Sequence, residues 1–230
     1  MTTFIIALFR AAGGVLPLLA ALCLGSTPLA SQEVPSVLMK IPSVQTMLSE
    51  FERQNRTNGN FTTQGSGAIS YVLRRWSSYP SAMVDSIING LEHRALHSND
   101  PITRADAVTL LSIAGQGDTQ RPMPGIFGRL QRIYRESNDR RVRLAVMDVM
   151  LRASERGPAV AFLRRVAVQP QAEQDFSGAA EEAVWHLAMI GEEGSAILRE
   201  LHRQNLVKDP DARFKLELAA RRGFDLRKPR

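Results

Sequence analysis

The chain is poor in the residues that usually anchor chemistry. Its 230 residues include one cysteine, Cys23, and four histidines. No intrachain disulfide can form, and no thiolate cage for a metal can be assembled. Aromatic residues make up 6%. A core with so few rings must be filled by Leu, Val, Ile, Ala and Met, which suits closely packed helices. There is no G-x-S-x-G and no glycine stretch ending in Lys-Ser or Lys-Thr, which removes the nucleophile elbow and the phosphate loop. "GQGDTQRPMPG", Gly115 to Gly125, is therefore expected to be a connecting loop. No segment alternates apolar and polar residues with the period of a strand. Single-sign charge runs are also missing. The formal net charge is +6, but acids lie among the bases, and Arg141 has Asp139 two residues before it and Asp148 seven after. A surface of mixed sign differs from the one-sided basic face of a nucleic-acid-binding protein, so that class is not expected.

What is present begins with an apolar leader. "MTTFIIALFRAAGGVLPLLAALCLGSTPLA" carries no acid, one base, Arg10, and a fifteen-residue apolar run from Ala11 to Gly25. This order of base, apolar run and small residues predicts a secretory signal over residues 1–30 and an exported chain, periplasmic or secreted. The run is short of the roughly 20 residues that span a bilayer. An uncleaved anchor is the alternative, and membrane contact is expected only in that case. Residues 31–67 are expected to be a tether. It contains a short amphipathic helix near Ser43–Gln54, with Val44, Met47, Leu48 and Phe51 on one face. A linker rich in Asn, Gly, Thr and Ser follows over Asn55–Gly67, with sequons at Asn55 and Asn60.

From Ala68 the period is helical throughout. Helices are predicted over about 68–77, 81–97, 101–115, 122–136, 139–155, 157–168, 176–190, 193–205 and 209–222. A basic tail over 223–230 is read as a frayed terminus. The segment "SNDRRVRLAVMDVMLRASERG", Ser137–Gly157, is apolar on nearly every side, which marks a helix buried against several neighbours. Related segments begin at Asn99, Asp175 and Asp209. Aligning Thr103, Val142, Ala180 and Ala212 gives spacings of 39, 38 and 32 residues. A helical pair recurring at nearly 40 residues is the signature of a helical solenoid.

"DPITRADAVTLL", "DRRVRLAVMDVM" and "DPDARFKLELAA" resemble the second helix of HEAT repeats. The likeness rests on Asp100, Pro101, Asp139, Asp209 and Pro210 at the turn, and on Arg104, Arg143 and Arg213 within the helix. It implies an all-α fold, an α-solenoid of about four HEAT-like helical pairs over 68–222. It also implies that the Asp and Arg side chains tie neighbouring repeats together. The pattern departs at Thr103, at Asp106 and Lys215, where small apolar residues are usual, and at Glu181 in place of arginine.

The functional expectation is an exported, non-enzymatic scaffold that binds a protein or peptide. Positions pointing away from the stack on the second helices nominate Arg141, Asp148, Arg152 and His186 for that contact. The competing reading is a metal-dependent enzyme on the same scaffold. His93 and His97 stand four residues apart, on one helix face, as a pair of metal ligands would. Glu92 precedes both instead of lying between them, and the pattern offers no third ligand, so no metal and no cofactor is expected. A HEAT-like nucleic-acid-binding protein is the remaining, less favoured alternative. Trp76 and Tyr79 are expected to cap the first repeat and Trp185 to pack between repeats.

Overall fold

A computed structural model describes residues 42–58, 63–116, 123–152, 156–169 and 178–224. The chain divides into two compact units, Met1–Met39 and Lys40–Arg230, and every described residue belongs to the second. The expected signal, Cys23, the sequon at Asn60 and most of the basic tail lie outside the described residues.

Ten α-helices account for the described residues, which contain no strand. They are α1 (Val44–Asn58), α2 (Thr63–Arg74), α3 (Ser81–His97), α4 (Pro101–Gln116), α5 (Ile126–Glu136), α6 (Arg140–Met150), α7 (Arg156–Val168), α8 (Ala179–Met189), α9 (Glu192–Arg203) and α10 (Pro210–Ala220). A short 3₁₀ turn, Trp76–Ser78, follows α2. No described helix is long and apolar enough to cross a membrane.

Local chemistry explains where the helices start. Asp139 and Asp209 stand just before α6 and α10, where their carboxylates accept from the backbone N–H of Arg141 and Ala212. Asp100 does the same before α4, accepting from Thr103 N at 2.8 Å. Such caps satisfy N–H groups that have no partner inside the helix. Pro101 and Pro210 occupy first-turn positions, where a missing N–H costs nothing. The repeated "SND" builds the same turn twice. Ser98 Oγ accepts from Asp100 N at 3.3 Å, and Ser137 Oγ accepts from Asp139 N at 3.2 Å. Arg104 donates to the Ser98 carbonyl, and Arg143 donates through Nε to the Ser137 carbonyl at 2.6 Å. The two constellations are 39 residues apart in every member.

The helices pack as antiparallel neighbours in sequence and also in a second, longer register. α1 lies on α2, α3 on α4, α5 on α6, α7 on α8 and α9 on α10. The even-numbered helices also follow one another, α2 on α4, α4 on α6, α6 on α8 and α8 on α10. One apolar core runs from Met47 in α1 to Ala219 in α10. Tyr134 of α5 is its largest fully buried side chain. It meets Phe162 of α7 edge-on at 4.9 Å, a favoured aromatic geometry. The Arg143 guanidinium lies 5.4 Å from the Tyr134 ring.

Several expectations shift. The linker expected over Asn55–Gly67 is partly helical, since α1 continues to Asn58 and α2 begins at Thr63. α1 is no isolated tether helix. Met47, Leu48 and Phe51 are buried in the common core, and Leu48 sits against Gly90 of α3, where a Cβ would lie 2.3 Å from its Cδ1. α6 spans eleven residues instead of seventeen. Val142, Val146, Met147, Val149 and Met150 are buried, whereas Leu144 and Leu151 are half-buried. Trp76 and Tyr79 are half-buried against the core near its first helices.

Candidate functional site

Charge pairing distinguishes the two sets of helices. Odd-numbered helices are joined through long side chains. Arg94 of α3 meets Glu52 of α1 at 3.0 Å, and Glu92 of α3 receives both Arg129 and Arg132 of α5. Arg156 and Arg164 of α7 meet Glu193 and Glu200 of α9, each at 2.9 Å. Each exposed pair adds little energy, but the pairing cancels cations that would otherwise create a basic face. Along the even helices, Arg104 of α4 pairs with Asp139 at the start of α6, and Lys215 of α10 pairs with Glu181 of α8 at 3.2 Å. Glu181 and Lys215, two of the four positions that depart from the sequence pattern, thus compensate each other.

Apolar exposure is one-sided. The large hydrophobic residues exposed among those described are Tyr71, Ile102, Trp185, Met189 and Phe214. They lie on α2, α4, α8 and α10, all even-numbered helices. Phe214 is 69% exposed, the most of the group. Trp185, expected to pack between repeats, does lie between α8 and α10 but is 39% exposed, with Lys215 Nζ 5.0 Å from its ring. The Lys215 ammonium therefore touches both a carboxylate and an aromatic face.

The residues nominated from sequence lie at α6 and α8. Asp148 of α6 and Arg152, just past its end, form an exposed i,i+4 pair at 3.6 Å. His186 of α8 is half-buried beside them. Burial holds its imidazole below the usual histidine range, while Asp148 and Glu182 pull it upward and Arg152 pushes it down. Burial prevails, so at neutral pH His186 is an uncharged hydrogen-bonding group. Asp148, Arg152, Glu182 and His186 make one polar cluster across α6 and α8. Arg141 is exposed two turns earlier on α6, near the Asp139 carboxylate.

His93 and His97 are exposed on α3, with ring centroids 4.8 Å apart. Their neighbour Glu92 turns the other way, into the arginines of α5. No group of three or more metal-ligating side chains occurs among the described residues.

Sequence reasoning missed Tyr71, Ile102, Met189 and Phe214. For Phe214 there was a partial signal: it stands two residues after Ala212, as Leu144 does after Val142, although the same position holds Ala105 and Glu182 in the other two copies. No family model, curated protein or solved structure matches the chain.

Proposed function

We propose that α1–α10 form a short α-solenoid of five helical pairs and that the free side of its even-numbered helices binds a protein or peptide. The HEAT-like character of the repeat belongs to the same reading. It is supported by the 39-residue recurrence of the Ser-Asn-Asp turn and by the Arg104–Asp139 bridge from one pair to the next. Close succession of the even helices favours a stack that curves with that row inside, the arrangement repeat proteins use to build a binding surface. The export expected from the apolar run after Arg10 is kept, so the partner is sought outside the cytoplasm.

The observation that carries the binding reading is the confinement of exposed large apolar side chains to even-numbered helices. Large apolar side chains left exposed on one set of helices are candidates for an interaction surface. Around it, Asp148, Arg152, Glu182 and His186 supply the polar contacts that fix orientation, and Arg141 extends the surface toward the start of α6.

A photo-crosslinking residue placed at Phe214 or Trp185 tests this in the native compartment. Adducts of one discrete partner from these sites, with none from Arg165 or Arg199 on odd helices, are expected. Adducts from both rows alike would remove the assignment. The double variant Arg141→Glu, Asp148→Lys should reduce the same adduct while leaving the helical circular dichroism and melting temperature unchanged.

A further inference from the structure

One group of ion pairs among the described residues stands apart, and a cavity coincides with it. In five other interhelical pairs each cation has its own carboxylate: Arg94 has Glu52, Arg104 has Asp139, Arg156 has Glu193, Arg164 has Glu200 and Lys215 has Glu181. Between α3 and α5 two guanidiniums, of Arg129 and Arg132, share the single carboxylate of Glu92. That carboxylate is 8% exposed, whereas both arginines reach solvent. Arg135, one turn further along α5, is exposed and has no acidic partner among the described residues. Arg129, Arg132 and Arg135, at i, i+3 and i+6, thus bring three guanidiniums to one stretch of α5.

These arginines line a cavity of about 480 Å³, together with Gly125, Gly128 and Glu136. The volume lies within the range of small-molecule sites. The space beside both glycines is open: a Cβ at either would meet nothing within 4 Å. A helix face lined by long arginines over glycine positions leaves a recess where a side chain would otherwise lie.

We infer that this recess on α5 is a binding site for a compact phosphate-bearing anion. A guanidinium offers paired N–H donors that match two phosphate oxygens, and three arginines against the carboxylates of Glu92 and Glu136 leave a net positive charge to receive it. Glu136 at one end excludes negative groups there, which directs the anion toward Arg129, Arg132 and Arg135. The site is separate from the even-numbered face and does not depend on the protein-binding reading.

Calorimetric titration of the full chain with inorganic pyrophosphate tests the assignment. Saturable one-to-one binding is expected. Arg135→Gln, which removes a side chain with no acidic partner among the described residues, should weaken it about tenfold, the size of one charge-assisted contact. Gly128→Glu should abolish it by placing a carboxylate in the recess, at a position where its Cβ meets no neighbour. Arg203→Gln, which removes an equal charge on α9, should change affinity less than about twofold. Flotation with phosphatidylcholine vesicles, with and without phosphatidic acid, identifies the source. Flotation only with phosphatidic acid assigns a lipid headgroup, and binding of pyrophosphate without flotation assigns a soluble phosphate. No pyrophosphate binding at millimolar concentration, or equal loss in the Arg203 and Arg135 variants, overturns the inference.

Discussion

At the residue scale, Asp106 shows how a departure from pattern becomes a measurable property. It stands on α4 where the repeat favours a small apolar residue. Burial pushes its carboxyl up to about 6, nearby Asp100 adds to the rise, and the polar side chain of Asn55 on α1 opposes it without prevailing. A folded-state value above the unfolded one of 3.8 means that the folded chain holds the proton more tightly. The resulting stabilisation is complete below the ordinary carboxylate range and is lost as pH rises through about 6. At neutral pH the charged carboxylate costs about 1–2 kcal/mol, reduced from the full shift because the group is only half-buried. Asp106→Asn should therefore raise the urea midpoint at pH 7.5 and leave it nearly unchanged at pH 4. A midpoint difference that does not vary with pH would refute the assignment. The Asn55 side-chain nitrogen is buried, so a glycan on that sequon would not fit α1 as it packs here. Sequence reasoning found the residues that cap and bridge, Asp100, Arg104 and Asp139, because short polar motifs report local geometry. Asp106 stood out as an oddity, but its partner Asn55 is 51 positions away, and no single sequence reveals such a meeting.

At the element scale, the ends of helices α3, α4 and α10 were legible within two residues. Proline, aspartate and the apolar period agree at those points. The α1–α2 region was not. Asn55–Gly67 has poor intrinsic propensity for helix, and tertiary burial of Met47, Leu48, Phe51, Ile69, Val72 and Leu73 overrides it. Close approach between elements is a second feature that composition hides. Gly194 lies in the first turn of α9, and a Cβ there would stand 1.9 Å from the carbonyl oxygen of Leu187 at the end of α8. That neighbour is backbone and cannot rotate away, so any side chain forces α9 off α8. Ser195 beside it donates to the carbonyls of Gly191 and Phe224, each at 2.8 Å, and links α9 to the chain that follows α10. Gly194→Ala is expected to lower stability by about 2–4 kcal/mol despite the better helix propensity of alanine. Chemical denaturation would show this, and an unchanged midpoint would mean that α8 and α9 pack less tightly than described. Gly128→Ala on α5, where no neighbour lies within 4 Å, is the matched control and should stabilise by about 0.5–1 kcal/mol.

At the scale of the whole molecule, the helices shelter one another. The helices are short, eleven to seventeen residues, and isolated helices of that length are marginal in water. Each is kept by its pair and by the adjacent pairs, so stability should fall when an end pair is removed, and the loss should be largest beside the cut. α1 puts this to use. It packs on α2, α3 and α4, and it buries Met47, Leu48 and Phe51 there. A chain beginning at residue 63 would expose the faces of α2, α3 and α4 that α1 now covers, including the hollow at Gly90. It would also leave Arg94 without Glu52 and Asp106 without Asn55. Fully burying three large apolar side chains is worth about 5–8 kcal/mol before the cost of ordering the helix is subtracted. Hydrogen exchange on the shortened chain should therefore speed up strongly in α2 and α3, moderately in α4, and hardly at all in α8–α10. A stack of pairs held by nearest neighbours requires that gradient. Uniform loss of protection from α2 to α10 would instead indicate a single all-or-none bundle. The repeat would then be a feature of the sequence without a counterpart in how the molecule holds together.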